Sequence, residues 1–296
     1  MTTTGIEPTG TGSEVSGTTR PRPTFSVGTE ARRQASRPRT RIALAFMVAL
    51  PLIILAAFEF GGDGDDDRNG GGAFASLVDL ATSGGANFAL FTLFVSAGFL
   101  LVVVVALFFG DTIASEASWG SLRYLLAIPV PRARLLGIKL IVSMLYSGLA
   151  LTLLVGTALG LGTLRYGWHP LRSTIADEVA PGPALLRLAG SLGYIAVSLL
   201  IVAALAFLLS VSTDAPLGAV GGAVLLQILS SILDQITALG TLRLFLPTHY
   251  NDAWVGLLST PVQVDGMIRG GIAALSYAVL FFGLAWWRFL RKDVVS

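Results

Sequence analysis

Six apolar runs decide what this chain can become: residues 42–60, 87–109, 140–164, 188–211, 217–239 and 270–287. An α-helix rises about 1.5 Å per residue, so runs of this length cross or nearly cross a hydrocarbon core of about 30 Å. Lipid offers no water to backbone N–H and C=O groups, and each run must therefore close its hydrogen bonds within itself, as a helix. Composition agrees, because 53% hydrophobic and 13% charged residues with a mean hydropathy of +0.74 lie outside the soluble-globular range. The expectation is an all-α integral membrane protein whose residues 42–296 form one six-span domain.

An even number of spans brings both termini to one face. With the termini placed in the cytoplasm, fourteen Lys and Arg fall on that face, seven of them in residues 1–41, against six on the other. This asymmetry follows the positive-inside rule. Residues 1–41 are rich in Thr, Gly, Pro, Ser and Arg and poor in large apolar side chains, which predicts a disordered cytoplasmic tail. Its arginines fix orientation or, alternatively, hold anionic lipid. No secretory signal is expected, since the first apolar run begins some forty residues in without a small-residue cleavage pattern. Tryptophans 119, 168, 254, 286 and 287 fall at span ends or in connectors, where aromatic belts form.

Between the second and third runs lies a charged, proline-broken segment, residues 111–139, DTIASEASWGSLRYLLAIPVPRARLLGIK. Ile113, Glu116/Ala117, Gly120/Ser121 and Tyr124 share one side at helical spacing, while Leu122, Leu125 and Leu126 gather on another. That pattern predicts an amphipathic helix along the membrane face. Pro129 stops it, and Pro131 opens a second helix through Arg132, Arg134 and Lys139. A basic interfacial connector that merely obeys charge rules would show the same pattern.

Glu116, Gly120-Ser121-Leu122, Pro129, Arg132 and Lys139 resemble the E…G(T/S)L…P…R…K pattern that follows the second span in ABC-2 type transporter permeases. Those are the membrane subunits of many bacterial ABC exporters. Residues 246–254, LPTHYNDAW, are similar to the external segment before the last span in that family, and residues 286–294, WWRFLRKDV, to its basic cytoplasmic tail. The resemblance covers the chain from about residue 87 onward and departs at Ala117, where many relatives carry a basic residue. It implies the permease subunit of an exporter, multi-pass in a bacterial plasma membrane. It also implies a homodimer or heterodimer with a second permease, seated on two copies of a separate ABC ATPase subunit that binds ATP and Mg. On that reading residues 111–139 hold the coupling helix. Its ATPase interface comprises Asp111, Glu116, Trp119, Gly120, Ser121, Leu122, Arg123, Pro129, Arg132 and Lys139.

The chain itself is not expected to be an enzyme or to bind a cofactor. A P-loop needs G-x-x-x-x-G-K-[ST], and neither Lys139 nor Lys292, the two lysines present, stands in that setting. There is no cysteine, hence no thiol chemistry. His169 and His249 are too separated in sequence to suggest a metal site, and neither H-E-x-x-H nor G-x-S-x-G occurs. Asp65, Asp67 and Asn69 open like a calcium loop, but Ser76 stands where the bidentate glutamate belongs, so a solvated acidic loop is the plainer reading. No nucleic-acid partner is expected.

Asp234 is the one acidic residue of the fifth run. With Gln227 and Ser230 it forms a polar stripe at i, i+3 and i+7, a candidate substrate path. The alternative is that Asp234 reaches headgroup water or caps the turn before LPTHY. Two other functions compete with the exporter. A secondary transporter would carry inverted repeats and several charges at the midplane, and a membrane scaffold would need no energy source.

Overall fold

The computed structural model describes residues 26–60, 72–118, 131–172 and 179–291. Helix α1 (Val27–Ser36) begins where the Ser26 hydroxyl accepts the Thr29 N–H at 3.3 Å, a side-chain cap for one of the orphan donors of the first turn. It ends at Arg37, which is extended (φ −70°, ψ 129°) because the residue before a proline is forced out of the helical region. Pro38 then opens α2 (Pro38–Phe60), where its missing amide proton costs nothing. The expected disordered tail through residue 41 is thus corrected from residue 27 onward. Local composition could not show what holds α1, which is a set of ion pairs to distant helices.

After α3 (Gly72–Thr82), the expected second span is divided between α4 (Gly85–Ala97) and α5 (Leu100–Ser118) by a turn at Gly98 and Phe99. Helix α6 (Arg132–Tyr166) has 35 residues. At about 1.5 Å per residue it is some 50 Å long and must overrun the hydrocarbon core. Helices α7 (Pro181–Ser198) and α8 (Leu200–Ser212) follow each other through Leu199, and α9 (Pro216–Gln235) stops four residues short of the expected end. Two 3₁₀ segments, Thr237–Phe245 and Ala253–Leu258, lead to α10 (Asp265–Arg291). Among the described residues the sole β feature is an isolated bridge between Leu171 and Val179.

Among the described residues six helical stretches are long and apolar enough to cross a membrane: Pro38–Phe60, Leu100–Ser118, Arg132–Tyr166, Gly182–Ser212 (α7 and α8 together), Pro216–Gln235 and Asp265–Arg291. Helices α5 and α8 form the centre, with α9 and α10 against α8, α4 against α6, and α2 outermost on α6. Phe109, Phe207 and Phe282 join α5, α8 and α10, with ring centroids 5.8 to 6.3 Å apart. Helices α5 and α9 approach so closely at Gly110 that a Cβ there would lie 2.8 Å from Val220 Cγ2. The outward faces of α2, α9 and α10 carry exposed Ile53, Leu229, Ile232 and Val279, as lipid contact requires.

The chain alternates through the bundle. The C-terminal end of α5 and the start of α6 therefore share one end with α1. Helix α10 returns there too, since Trp286 lies 3.7 Å from where a Gly137 Cβ would stand.

Candidate functional site

Charged side chains collect at both ends of the bundle, in opposite ways. At the α1 end, Lys139 Nζ lies 2.8 Å from Glu30 Oε1 and 3.2 Å from Glu116 Oε1. The same Glu116 oxygen meets Arg33 Nη2 at 3.0 Å and Arg37 Nη2 at 3.1 Å. Arg37 Nη1 reaches on to Asp111 Oδ2 at 3.3 Å and Ser115 Oγ at 3.4 Å, and Arg39 closes on Asp111 Oδ1 at 2.6 Å. The Tyr146 hydroxyl donates to the Ala31 carbonyl at 2.8 Å. Glu30, Asp111, Glu116 and Lys139 are all buried. A lone charge out of water is prohibitive, so each of these groups persists only because the others are present.

Local sequence explains how the partners line up. Asp111 and Ser115 are one helical turn apart on α5, and Arg33 and Arg37 are one turn apart along α1 and its cap, so two helix faces meet charge to charge. Helices α5 and α6 are stitched beside this cluster by Thr112 and Ser143, whose hydroxyls are 2.9 Å apart.

This arrangement corrects two expectations. Residues 111–118 do not begin a separate surface helix. They are the last turns of α5, held inside by Ser210 Oγ, which accepts the N–H groups of Ile113 and Ala114 at 3.0 Å each. Asp111, Glu116 and Lys139, expected to face an ATPase, are turned inward and occupied by α1, and Glu116 has no exposed surface. Arg132 stands on the surface at the first position of α6. Trp119, Gly120, Ser121, Leu122, Arg123 and Pro129 lie outside the described residues, as do Asp65, Asp67 and Asn69.

At the opposite end the polar stripe of α9 meets the segment 246–254. Ser230 Oγ and Thr248 Oγ1 are 2.8 Å apart, Asp234 Oδ1 and His249 Nδ1 2.7 Å, and Arg243 Nε stands 3.5 Å from the same carboxylate oxygen. The Tyr194 hydroxyl donates to the Tyr250 carbonyl at 2.6 Å, and a Cβ on Gly270 would collide with that hydroxyl. Nearby, Asn87 Nδ2 donates to the Arg172 carbonyl at 2.7 Å while its Oδ1 accepts the Arg172 N–H. Gln227 and Asp234 line a cavity of about 160 Å³ with Thr248, His249 and Asp252.

The structure thus brings together all three stripe residues. It adds His249, which sequence reasoning weighed as a metal ligand and set aside. The signal was present in LPTHY, a histidine and a threonine one and two residues before a tyrosine, but nothing local tied the histidine to a carboxylate fifteen residues upstream. Among the described residues no group of three His, Asp or Glu side chains is placed to hold a metal ion.

Residues 52–295 match a family whose description reads "Protein of unknown function (DUF2705)". No curated protein matches the chain.

Proposed function

The chain belongs to the DUF2705 family, and from its six apolar helices and the motif in residues 111–139 we propose that it is the permease subunit of an ATP-driven exporter. It sits in a bacterial plasma membrane with its termini in the cytoplasm. ATP and Mg bind a separate ATPase subunit, present in two copies beneath a dimer of permeases.

One observation supports this reading above the others. Glu116 and Lys139, which open and close the permease-like pattern, meet at 3.2 Å although 23 residues apart. They clamp the base of the connector between α5 and α6, and both helices run from there into the centre of the bundle. A push on residues 119–131 is therefore delivered to two rigid helices at once, because packed interiors transmit displacement rather than absorb it. Glu116 braces the connector, and contact with the ATPase falls to Trp119, Gly120, Ser121, Leu122 and Arg123. The polar stripe of Gln227, Ser230 and Asp234 lies at the end from which cargo would leave.

The test is purification of the tagged chain from its native membrane in mild detergent. An ATPase subunit should come with it in equal amounts, and Gly120→Trp should remove that subunit while the chain still folds. Purification of the intact chain with no ATPase, under conditions that keep permease dimers together, would return it to the scaffold or secondary-transporter classes.

A further inference from the structure

The cavity at the end opposite α1 has the features of a ligand site, and they are independent of the exporter reading. It is enclosed by the turn between α4 and α5 at Gly98, the junction of α7 and α8 at Ser198 and Leu199, the polar stripe of α9, and residues 248–252. Gln227, only 7% exposed as a residue, lines it, and its amide makes no hydrogen bond among the described residues. The amide therefore faces the cavity with its hydrogen-bonding capacity free for an occupant.

Charge narrows the occupant. Asp234 and Asp252 line the cavity and no Lys or Arg does. Asp234 already faces His249 and Arg243, whereas Asp252 is exposed and takes part in no ion pair among the described residues. A cation is therefore favoured, and the wall says which kind. His249 is the one ring among the lining residues, so there is no aromatic cage for a quaternary ammonium, while amide, hydroxyl and carboxylate acceptors abound.

Shape adds an apolar half. The chamber shares Gly98, Val102, Gln227 and Ser231 with a second hollow of about 310 Å³ that extends to Phe99, Ile228 and Ile232. Those three side chains are exposed on the apolar flank of the bundle.

We infer that this double cavity binds an amphiphile with a primary ammonium head, the head placed between Gln227 and Asp252 and the chain laid along Phe99, Ile228 and Ile232. The ammonium donates to the Asp252 carboxylate and to the Gln227 amide oxygen, giving each an acceptor role. Such a ligand comes either from the bilayer, as a lipid with an ethanolamine head, or from solution, as a free alkyl amine.

Radiolabelled dodecylamine binding to the purified full-length chain in nanodiscs tests it. In discs of phosphatidylglycerol alone, saturable binding is expected, with dodecyltrimethylammonium at least about tenfold weaker because it has no N–H to donate. Asp252→Asn and Gln227→Leu should each weaken dodecylamine about tenfold. Asp252 is exposed and in no ion pair among the described residues, so its variant should melt like the parent. Loss of dodecylamine binding on adding phosphatidylethanolamine to the discs would identify the lipid as the source, and unchanged binding would identify the free amine. Equal affinity for the trimethyl compound, or full affinity in the Asp252→Asn protein, overturns the inference.

Discussion

The two ends of the bundle solve the same problem, charge beside lipid, with opposite results. At the α1 end Glu30, Asp111 and Glu116 meet Arg33, Arg37, Arg39 and Lys139 within 3.3 Å, and the core of the cluster is buried. At the other end Asp234 has His249 and a more distant Arg243, the Gln227 amide has no hydrogen-bond partner among the described residues, and a cavity stands open beside them. The closed cluster is largely consumed by its own contacts, with Glu30 Oε2 left without a hydrogen-bond partner, and joins an N-terminal helix to α5 and α6. The open one keeps unused hydrogen-bonding capacity, as a site that receives something must.

Removing one member of the closed cluster should have the largest effect. Lys139→Met leaves Glu30 without its shortest contact and takes a cation from Glu116 in a space closed to bulk solvent. Breaking a buried pair from one side costs about 3 to 5 kcal/mol. Unfolding in mixed micelles, followed by circular dichroism, should show a loss of that size, together with early proteolysis in α1. A Lys139→Met protein as stable as the parent would mean that the cluster is hydrated and the contrast between the ends is false.

How far this contrast could be read in advance depended on the range of the interactions. The apolar runs were legible because a span is a local property, and four of the six expected spans lie within single continuous stretches of helix. The turn at Gly98 was not, since Gly98 itself has helical dihedrals (φ −70°, ψ −31°) and nothing in its neighbours requires a break. Helix α1 was missed because Glu30 and Arg33 look solvated until Glu116 and Lys139, 83 to 109 residues away, are brought beside them. Asp234 was visible as a lone charge in an apolar run. Its partner was not, because a histidine in a connector carries no local mark of what it faces.

A smaller effect separates the docking of α1 from its charges. Tyr146→Phe removes only the hydroxyl that donates to the Ala31 carbonyl, and a single neutral hydrogen bond contributes about 1 to 1.5 kcal/mol. Global stability should fall by about that amount, with amide exchange accelerating in residues 27–36 ahead of the rest. Uniform acceleration across the chain would show that α1 is not a separately attached element.

The smallest expected change lies at the open end, and it is the sharper half of the comparison. Asp234 is the single acidic residue of its helix, and by position alone it ought to matter as much to folding as Glu116. Its surroundings say otherwise. The Asp234 side chain is 14% exposed and His249 22%, the cavity supplies solvent to one side of the pair, and Arg243 Nε stands at 3.5 Å, beyond a good hydrogen bond. Asparagine has the same shape, keeps an acceptor for His249 Nδ1 and loses only the charge. Solvated pairs of this kind contribute about 0 to 1 kcal/mol. Asp234→Asn should therefore unfold within about 1 kcal/mol of the parent in the micelle titration that exposes Lys139→Met. A loss of about 3 kcal/mol or more would place Asp234 in the same class as Glu116. The charge would then be part of the scaffold, and the two ends of the bundle would differ in geometry alone.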